Sequence, residues 1–201
     1  MSLPAFSVTW DYRCPFARNA HEHLAVALAD GADWDVRFLP FSLSQVHVPE
    51  GGTSVWDDPA KAQDLLALAA GIVVRDQYPD RFLDAHVALF AARHDEGLDL
   101  RVPHVVARVL DAAGLPGDAV VDEAEAGAAV KELRRAHEEA VAKWQVFGVP
   151  TFVLDDRAVF VRLMSRPHGD AALARRTIQG VLDLFDSQPD LNEFKYTTLS
   201  R

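Results

Sequence analysis

At 201 residues with 49% hydrophobic content, the chain is long enough to bury a real core, as one domain or one domain with an inserted subdomain. Its 30 acidic against 20 basic residues leave a formal charge of −10, which repels a phosphate backbone and sets nucleic acid aside. No apolar run approaches the length that spans a bilayer, and a single cysteine excludes an intramolecular disulfide framework.

The chain opens with Ala5 to Trp10, which alternates as a strand does, and continues from Pro15 to about Ala29 with helical spacing, Phe16, Ala20, Leu24 and Leu28 recurring on one face. Between them lies Asp11-Tyr12-Arg13-Cys14, so the cysteine sits where a strand hands over to a helix. Pro15 falls at the first helical position, where a missing N–H costs nothing. The free amides of that turn, the positive end of the helix dipole and Arg13 all favour thiolate over thiol at Cys14, the form a nucleophile needs. Asp30-Gly31-Ala32-Asp33 stops the helix, and Trp34 to Phe41 reads as a second strand, completing a βαβ unit.

Ser42 to about Pro59 reads as loop, punctuated by Pro49, Gly51, Gly52 and Pro59, with Trp56 as its apolar anchor, the alternative being a lid over the cysteine. Four or five helices are then expected, over Ala60 to Gln77, Pro79 to Asp95, Pro103 to Ala113, Gly117 to Ala126 and Ala128 to Phe147, with Gly97 and Gly114 as stops. Strand character returns at Gly148 to Leu154, turns at Asp155-Asp156-Arg157, and continues antiparallel from Ala158 to Met164. A last helix is expected from Gly169 to about Phe185. The fold class is therefore α/β, with residues 1–59 and 146–201 forming one domain and 60–145 an inserted helical subdomain.

Other chemistry is thinly supported. His21 and His23 stand two apart on a helix and do not share a face, so they make no zinc site. His86, His94, His104 and His137 are scattered and read as surface or satisfied polar residues, while His47 is a candidate proton donor. Gly51-Gly52 lacks a phosphate-binding context. Trp10, Tyr12, Phe16 and Phe147 are candidates to wall a pocket at Cys14, with an ordinary core role as the alternative.

The order βαβ, helical insertion, ββα, with a cysteine at the first strand–helix turn and Val149-Pro150-Thr151 opening the third strand, resembles the thioredoxin-fold proteins of the DsbA family. The resemblance implies a thioredoxin-like fold, a cis Pro150 beside Cys14, and a substrate groove shaped by Val149, Pro150 and Thr151, with Val149 pairing to the substrate backbone. Catalysis would rest on Cys14 and Pro15, and substrate contact on Val149, Pro150, Thr151, Phe16, Trp10 and Tyr12. In that family the redox motif is Cys-x-x-Cys, whereas this chain reads Cys14-Pro15-Phe16-Ala17. Without a second thiol a mixed disulfide must be resolved from outside, which disfavours a dithiol oxidase and implies a monothiol oxidoreductase.

The Cys-Pro-Phe-Ala opening and the ending Ser187 to Tyr196 look like the actinobacterial DsbA-like proteins that include mycothiol-dependent reductases. Asp11 to Ala17 is also similar to the motif of kappa-class glutathione transferases and 2-hydroxychromene-2-carboxylate isomerases, departing chiefly in having cysteine where they have serine. These likenesses imply no tightly bound cofactor. The co-substrate would be a low-molecular-weight thiol, mycothiol or glutathione, and its partner a small electrophile or mixed disulfide. No secretory signal is evident at the N-terminus, so a reducing cytoplasm is the expected location, with no membrane partner and a homodimer left open. A thiol transferase or isomerase, and a non-catalytic binding or redox-sensing module, are the competing functions.

Overall fold

The structure is a computed structural model that describes residues 5–196. Four strands form one sheet in the order β2-β1-β3-β4. β1 (Phe6–Trp10) and β2 (Val36–Pro40) are parallel, in register from Phe6 opposite Val36 to Trp10 opposite Pro40. The intervening α1 (Pro15–Ala29) makes the crossover, which two parallel strands require. β3 (Thr151–Leu154) runs antiparallel to β1, and β4 (Arg157–Phe160) pairs back onto β3 through a two-residue turn at Asp155-Asp156. The final helix, α8 (Ala171–Ser187), is capped by Asp170, whose side chain accepts from the Leu173 amide at 2.8 Å.

Between β2 and β3 lie a short α2 (Leu43–Val46) and five longer helices: α3 (Ala62–Gln77), α4 (Phe82–His94), α5 (Pro103–Ala112), α6 (Gly117–Glu125) and α7 (Ala128–Trp144). Two cores result. One packs Phe6, Val8, Phe152 and Leu154 of the sheet against Ala20 and Leu24 of α1 and Ile178, Leu182 and Phe185 of α8. The other fills the helices and reaches the sheet end through Trp10, Tyr12, Cys14, Ala17, Phe41 and Val149. The cysteine therefore stands at the edge of the helical core, where the two parts meet. Among the described residues no helix is long and apolar enough to cross a membrane.

Several boundaries differ from expectation for identifiable reasons. Helix α1 buries Ala17, His21, His23 and Ala27 as well as Ala20 and Leu24, a wider arc than its aliphatic stripe, because it packs against both α8 and α4. The expected loop after β2 contains α2, whose start is fixed by Ser42 Oγ accepting from the Gln45 amide at 3.2 Å. β4 ends at Phe160 rather than Met164. The Val161 amide reaches the Pro150 carbonyl at 3.1 Å, and beyond it Asn19 Nδ2 of α1 donates to the Leu163 carbonyl at 2.8 Å, drawing the chain off the sheet. Helix α7 stops at Trp144 because Gln145 takes a left-handed conformation, φ 55°.

Candidate active site around Cys14

Cys14 is the N-cap of α1, with extended backbone (φ −96°, ψ 118°), and its Sγ accepts from the Ala17 amide at 3.4 Å. The loop before it is organised by Asp11. Its Oδ1 accepts from the Arg13 amide at 2.9 Å and its Oδ2 from the Leu43 amide at 2.8 Å, so one carboxylate ties the β1–α1 turn to the start of α2. Burial pushes the Asp11 carboxyl up from its ordinary value, against the lowering effect of those two amides. The Asp-x-x-Cys spacing contains this turn, but the tether to Leu43 lies thirty-two residues away in the chain.

Opposite the sulfur, the Val149–Pro150 peptide bond is cis, and the Val149 carbonyl accepts from the Cys14 thiol at 3.2 Å. Thr151 anchors this segment: its amide donates to Thr9 Oγ1 at 2.8 Å and its hydroxyl to the Gly148 carbonyl at 2.7 Å. Pro15 occupies the first helical position, with its ring exposed. The structure thus brings together Cys14, Pro15, Val149, Pro150 and Thr151.

Cys14 is 8% exposed. Burial pushes the thiol up from its ordinary value and outweighs the Ala17 and Phe16 amides; the Asp11 carboxylate adds to the rise and Arg162 opposes it. The expectation of a thiolate-favouring cysteine is corrected accordingly. The helix terminus does face the sulfur, but a lone cap bond at 3.4 Å competes with desolvation and with a carbonyl that holds the S–H proton. At rest Cys14 is a thiol.

Trp10 and Tyr12 do not wall a pocket at the sulfur; at 0% and 2% exposure their rings go into the helical core. Trp10 meets Phe82 and His86 edge-on, at centroid distances of 5.9 and 5.3 Å. The Tyr12 hydroxyl donates to His86 Nδ1 at 2.8 Å, His86 Nε2 lies 3.0 Å from His21 Nδ1, and His21 Nε2 lies 3.0 Å from the Thr9 carbonyl. The carbonyl only accepts, so each ring must donate from Nε2 and accept at Nδ1, and the chain runs one way from Tyr12 to Thr9. Burial keeps both rings neutral, His21 held down at about 4 and His86 well below the usual histidine range. His94 Nε2 also donates to the Tyr12 carbonyl, at 2.9 Å.

Phe16 is half-buried beside the site and Phe147 is 66% exposed, its ring 5.1 Å from that of Phe160. His47 caps the C-terminus of α2 and is exposed. Trp56 packs against His137, rings 5.6 Å apart, and anchors its loop. Sequence reasoning passed over Arg162, whose guanidinium sits over both the Phe16 and Phe160 rings at 5.4 and 5.3 Å. The signal was its place two residues after Phe160 in an alternating run. Among the described residues no group of three or more His, Cys, Asp or Glu is placed to hold a metal ion.

A sheet in the order β2-β1-β3-β4, a cysteine capping the first helix and a proline segment across from it define a thioredoxin-fold protein. More narrowly, the chain belongs to the family of the DSBA-like thioredoxin domain, which matches residues 7–165. No curated protein matches it by sequence. Among solved structures, it is similar to 2-hydroxychromene-2-carboxylate isomerase at 19% identity, TM-score 0.60, over 93% of this chain and 100% of that one. It is similar also to the cytosolic disulfide reductase DsbM of Pseudomonas aeruginosa, solved with GSH, at 16% identity and TM-score 0.60, over 90% of this chain and all of the other. The oxidoreductase NmDsbA1 of N. meningitidis follows at 16% identity and TM-score 0.57, over 93% and 86%. At these identities what is shared is the fold.

Proposed function

We propose that this protein is a cytoplasmic thiol oxidoreductase that works through Cys14 alone, with a low-molecular-weight thiol, mycothiol or glutathione, as co-substrate. The observation that carries the reading is the Cys14 sulfur at 3.2 Å from the Val149 carbonyl, capping α1, with Ala17 where the DsbA motif has its second cysteine. In this reading Pro15 shapes the helix start, Val149, Pro150 and Thr151 form the groove, and Phe16 lines it.

The chemistry is two thiol–disulfide exchanges. Cys14 thiolate attacks one sulfur of a mixed disulfide; a Cys14–sulfur bond forms, the original S–S bond breaks, and the other half leaves as a thiolate that takes up a proton. The co-thiol, as thiolate, then attacks the sulfur attached to Cys14, forming a new disulfide and returning Cys14. Net, one disulfide is exchanged for another: the half captured by Cys14 leaves joined to the co-thiol as a new disulfide, and the other half leaves as a thiol. The resting S–H must be given up first. A substrate N–H that engages the Val149 carbonyl removes the acceptor that holds the proton, and the Ala17 and Phe16 amides then favour the anion.

The pH dependence of Cys14 alkylation on the free protein should rise only above the ordinary thiol range, following the upward shift. Intact mass after exposure to oxidised mycothiol or oxidised glutathione should show a mixed adduct on Cys14, and Cys14→Ser should abolish thiol-dependent reductase activity. Activity retained in Cys14→Ser overturns the nucleophile assignment. That outcome would favour a second reading, a kappa-like thiol transferase or isomerase, in which residue 14 only donates to a bound thiolate. The donor geometry of the Cys14 S–H toward Val149 is the observation behind it.

A further inference from the structure

Arg162 is the cation held on the aromatic side chain next to the Cys14 turn, its guanidinium set over the Phe16 ring. Arg18, Arg157, Arg166 and Arg175 each pair with a carboxylate, of Asp95, Asp186, Glu22 and Asp30 respectively, whereas Arg162 has no carboxylate partner among the described residues, although the chain has ten more acidic than basic side chains. It is nonetheless held. Its backbone is fixed on one side by Val161 N–H to the Pro150 carbonyl, 3.1 Å, and on the other by Asn19 to the Leu163 carbonyl, 2.8 Å. Its guanidinium carbon lies 5.4 Å from the Phe16 ring centre and 5.3 Å from that of Phe160. Aromatic contacts of this kind use the π faces and leave the N–H edges free to take a carboxylate through two parallel bonds. Phe16 is two residues from Cys14, and Phe147, largely exposed, extends the same apolar surface through Phe160.

We infer that Arg162 is the anion anchor of the Cys14 site: the disulfide or thiol that Cys14 exchanges with carries a carboxylate, which Arg162 holds while the Phe147–Phe160 ledge covers its uncharged part. The inference rests on the exchange chemistry proposed above and narrows it to anionic co-substrates, which keeps glutathione, with its free carboxylates, and sets mycothiol, which has none, aside. Asp11, the carboxylate that acts on Cys14 in the opposite sense, spends both oxygens on the Arg13 and Leu43 amides. Arg162 also favours the Cys14 thiolate, as expected of a guanidinium within electrostatic reach of the sulfur.

The test compares iodoacetate with iodoacetamide as alkylating agents of Cys14 in the wild-type protein and in Arg162→Gln and Arg162→Lys, at one pH and low salt. Both reagents meet the same thiolate, so the ratio of their rates reports the charge near the sulfur and cancels any change in Cys14 acidity. Arg162→Gln should lower the iodoacetate-to-iodoacetamide ratio by about threefold, the scale of a unit charge acting over several ångströms in water, and Arg162→Lys should restore most of it. In parallel, mixed-disulfide formation is followed by mass with dithiodiglycolate, which bears two carboxylates, and with neutral bis(hydroxyethyl) disulfide; Arg162→Gln should slow only the former. An unchanged alkylation ratio in Arg162→Gln overturns the anchor. If the ratio falls as expected but neither disulfide forms an adduct, the anchor stands and the exchange reading fails.

Discussion

Tyr12 joins the Cys14 loop to the helical core, and its hydroxyl is the place to test that joint. Tyr12→Phe removes the donor to His86 Nδ1, 2.8 Å away, and the loss cannot be absorbed by turning the chain round, because the Thr9 carbonyl fixes which His21 nitrogen carries hydrogen. An unsatisfied buried acceptor costs about 1–3 kcal/mol. The same hydroxyl dictates a glycine. A Cβ on Gly71, in the middle of α3, would lie 2.5 Å from Tyr12 Oη, so Gly71→Ala overpacks the site by about 1–3 kcal/mol, set against a helix-propensity gain of about 1 kcal/mol. Once Oη is gone, the nearest atoms are Cε2 and Cζ at 3.1 and 3.2 Å, a crowding that a shift of a few tenths of an ångström relieves. Gly71→Ala should therefore destabilise the wild type yet be about neutral, or mildly stabilising, in Tyr12→Phe. Urea unfolding of the four proteins, followed by far-UV circular dichroism with equal m-values, reads the coupling as a favourable interaction of about 1–2 kcal/mol. Costs that simply add to within about 0.5 kcal/mol would refute the packing argument.

Acid should weaken the fold over a defined window. His21 and His137 are each held at about 4 in the folded protein by burial, and His86 is held well down, so the unfolded chain binds more protons below about pH 6.5. Their contribution is complete above that pH and is lost as pH falls toward 4, on the order of 3 kcal/mol for His21 alone, while Asp11, shifted upward, works in the opposite sense. Urea midpoints measured from pH 7 to pH 4 should fall, and a flat profile would contradict neutral buried rings. Ala17→Cys restores the Cys-x-x-Cys spacing beside a sulfur 3.4 Å from the residue's own amide. The variant should close an intramolecular disulfide on mild oxidation, seen as loss of all titratable thiol, at a packing cost of about 1–3 kcal/mol because Ala17 is buried. Thiols that persist would show that the first turn of α1 is too rigid to bridge.

Much of this architecture was readable along the chain because local signals and tertiary outcome agree. Pro15 at the first helical position, the stops at Gly97 and Gly114, and the Asp155-Asp156 hairpin turn need only neighbouring residues to be interpreted. What escaped depends on distant partners. Trp10 and Tyr12 are large residues flanking the cysteine in sequence, but the side to which they turn is decided by Phe82, His86 and Phe90 on α4, some seventy residues on. His21 and His86 looked like isolated polar residues because the bond between them spans sixty-five positions. The upward shift of the Cys14 thiol is non-local for the same reason: the helix start favouring thiolate is read from neighbouring residues, whereas the burial that outweighs it comes from distant segments packed around the sulfur, Val149 among them.

The absence of a second cysteine bears on how the first survives. A thiol oxidised to sulfenic acid is ordinarily rescued by a neighbouring thiol, which captures it as a disulfide before over-oxidation to the irreversible sulfinic and sulfonic acids. With Ala17 in that position, and no other cysteine in the chain, the internal rescue is gone. Oxidants attack thiolates that are exposed, and Cys14 at rest is neither: its proton is engaged by the Val149 carbonyl and its sulfur is largely hidden. Burial and the engaged S–H thus limit how readily oxidants reach Cys14, in the absence of any thiol positioned to rescue it.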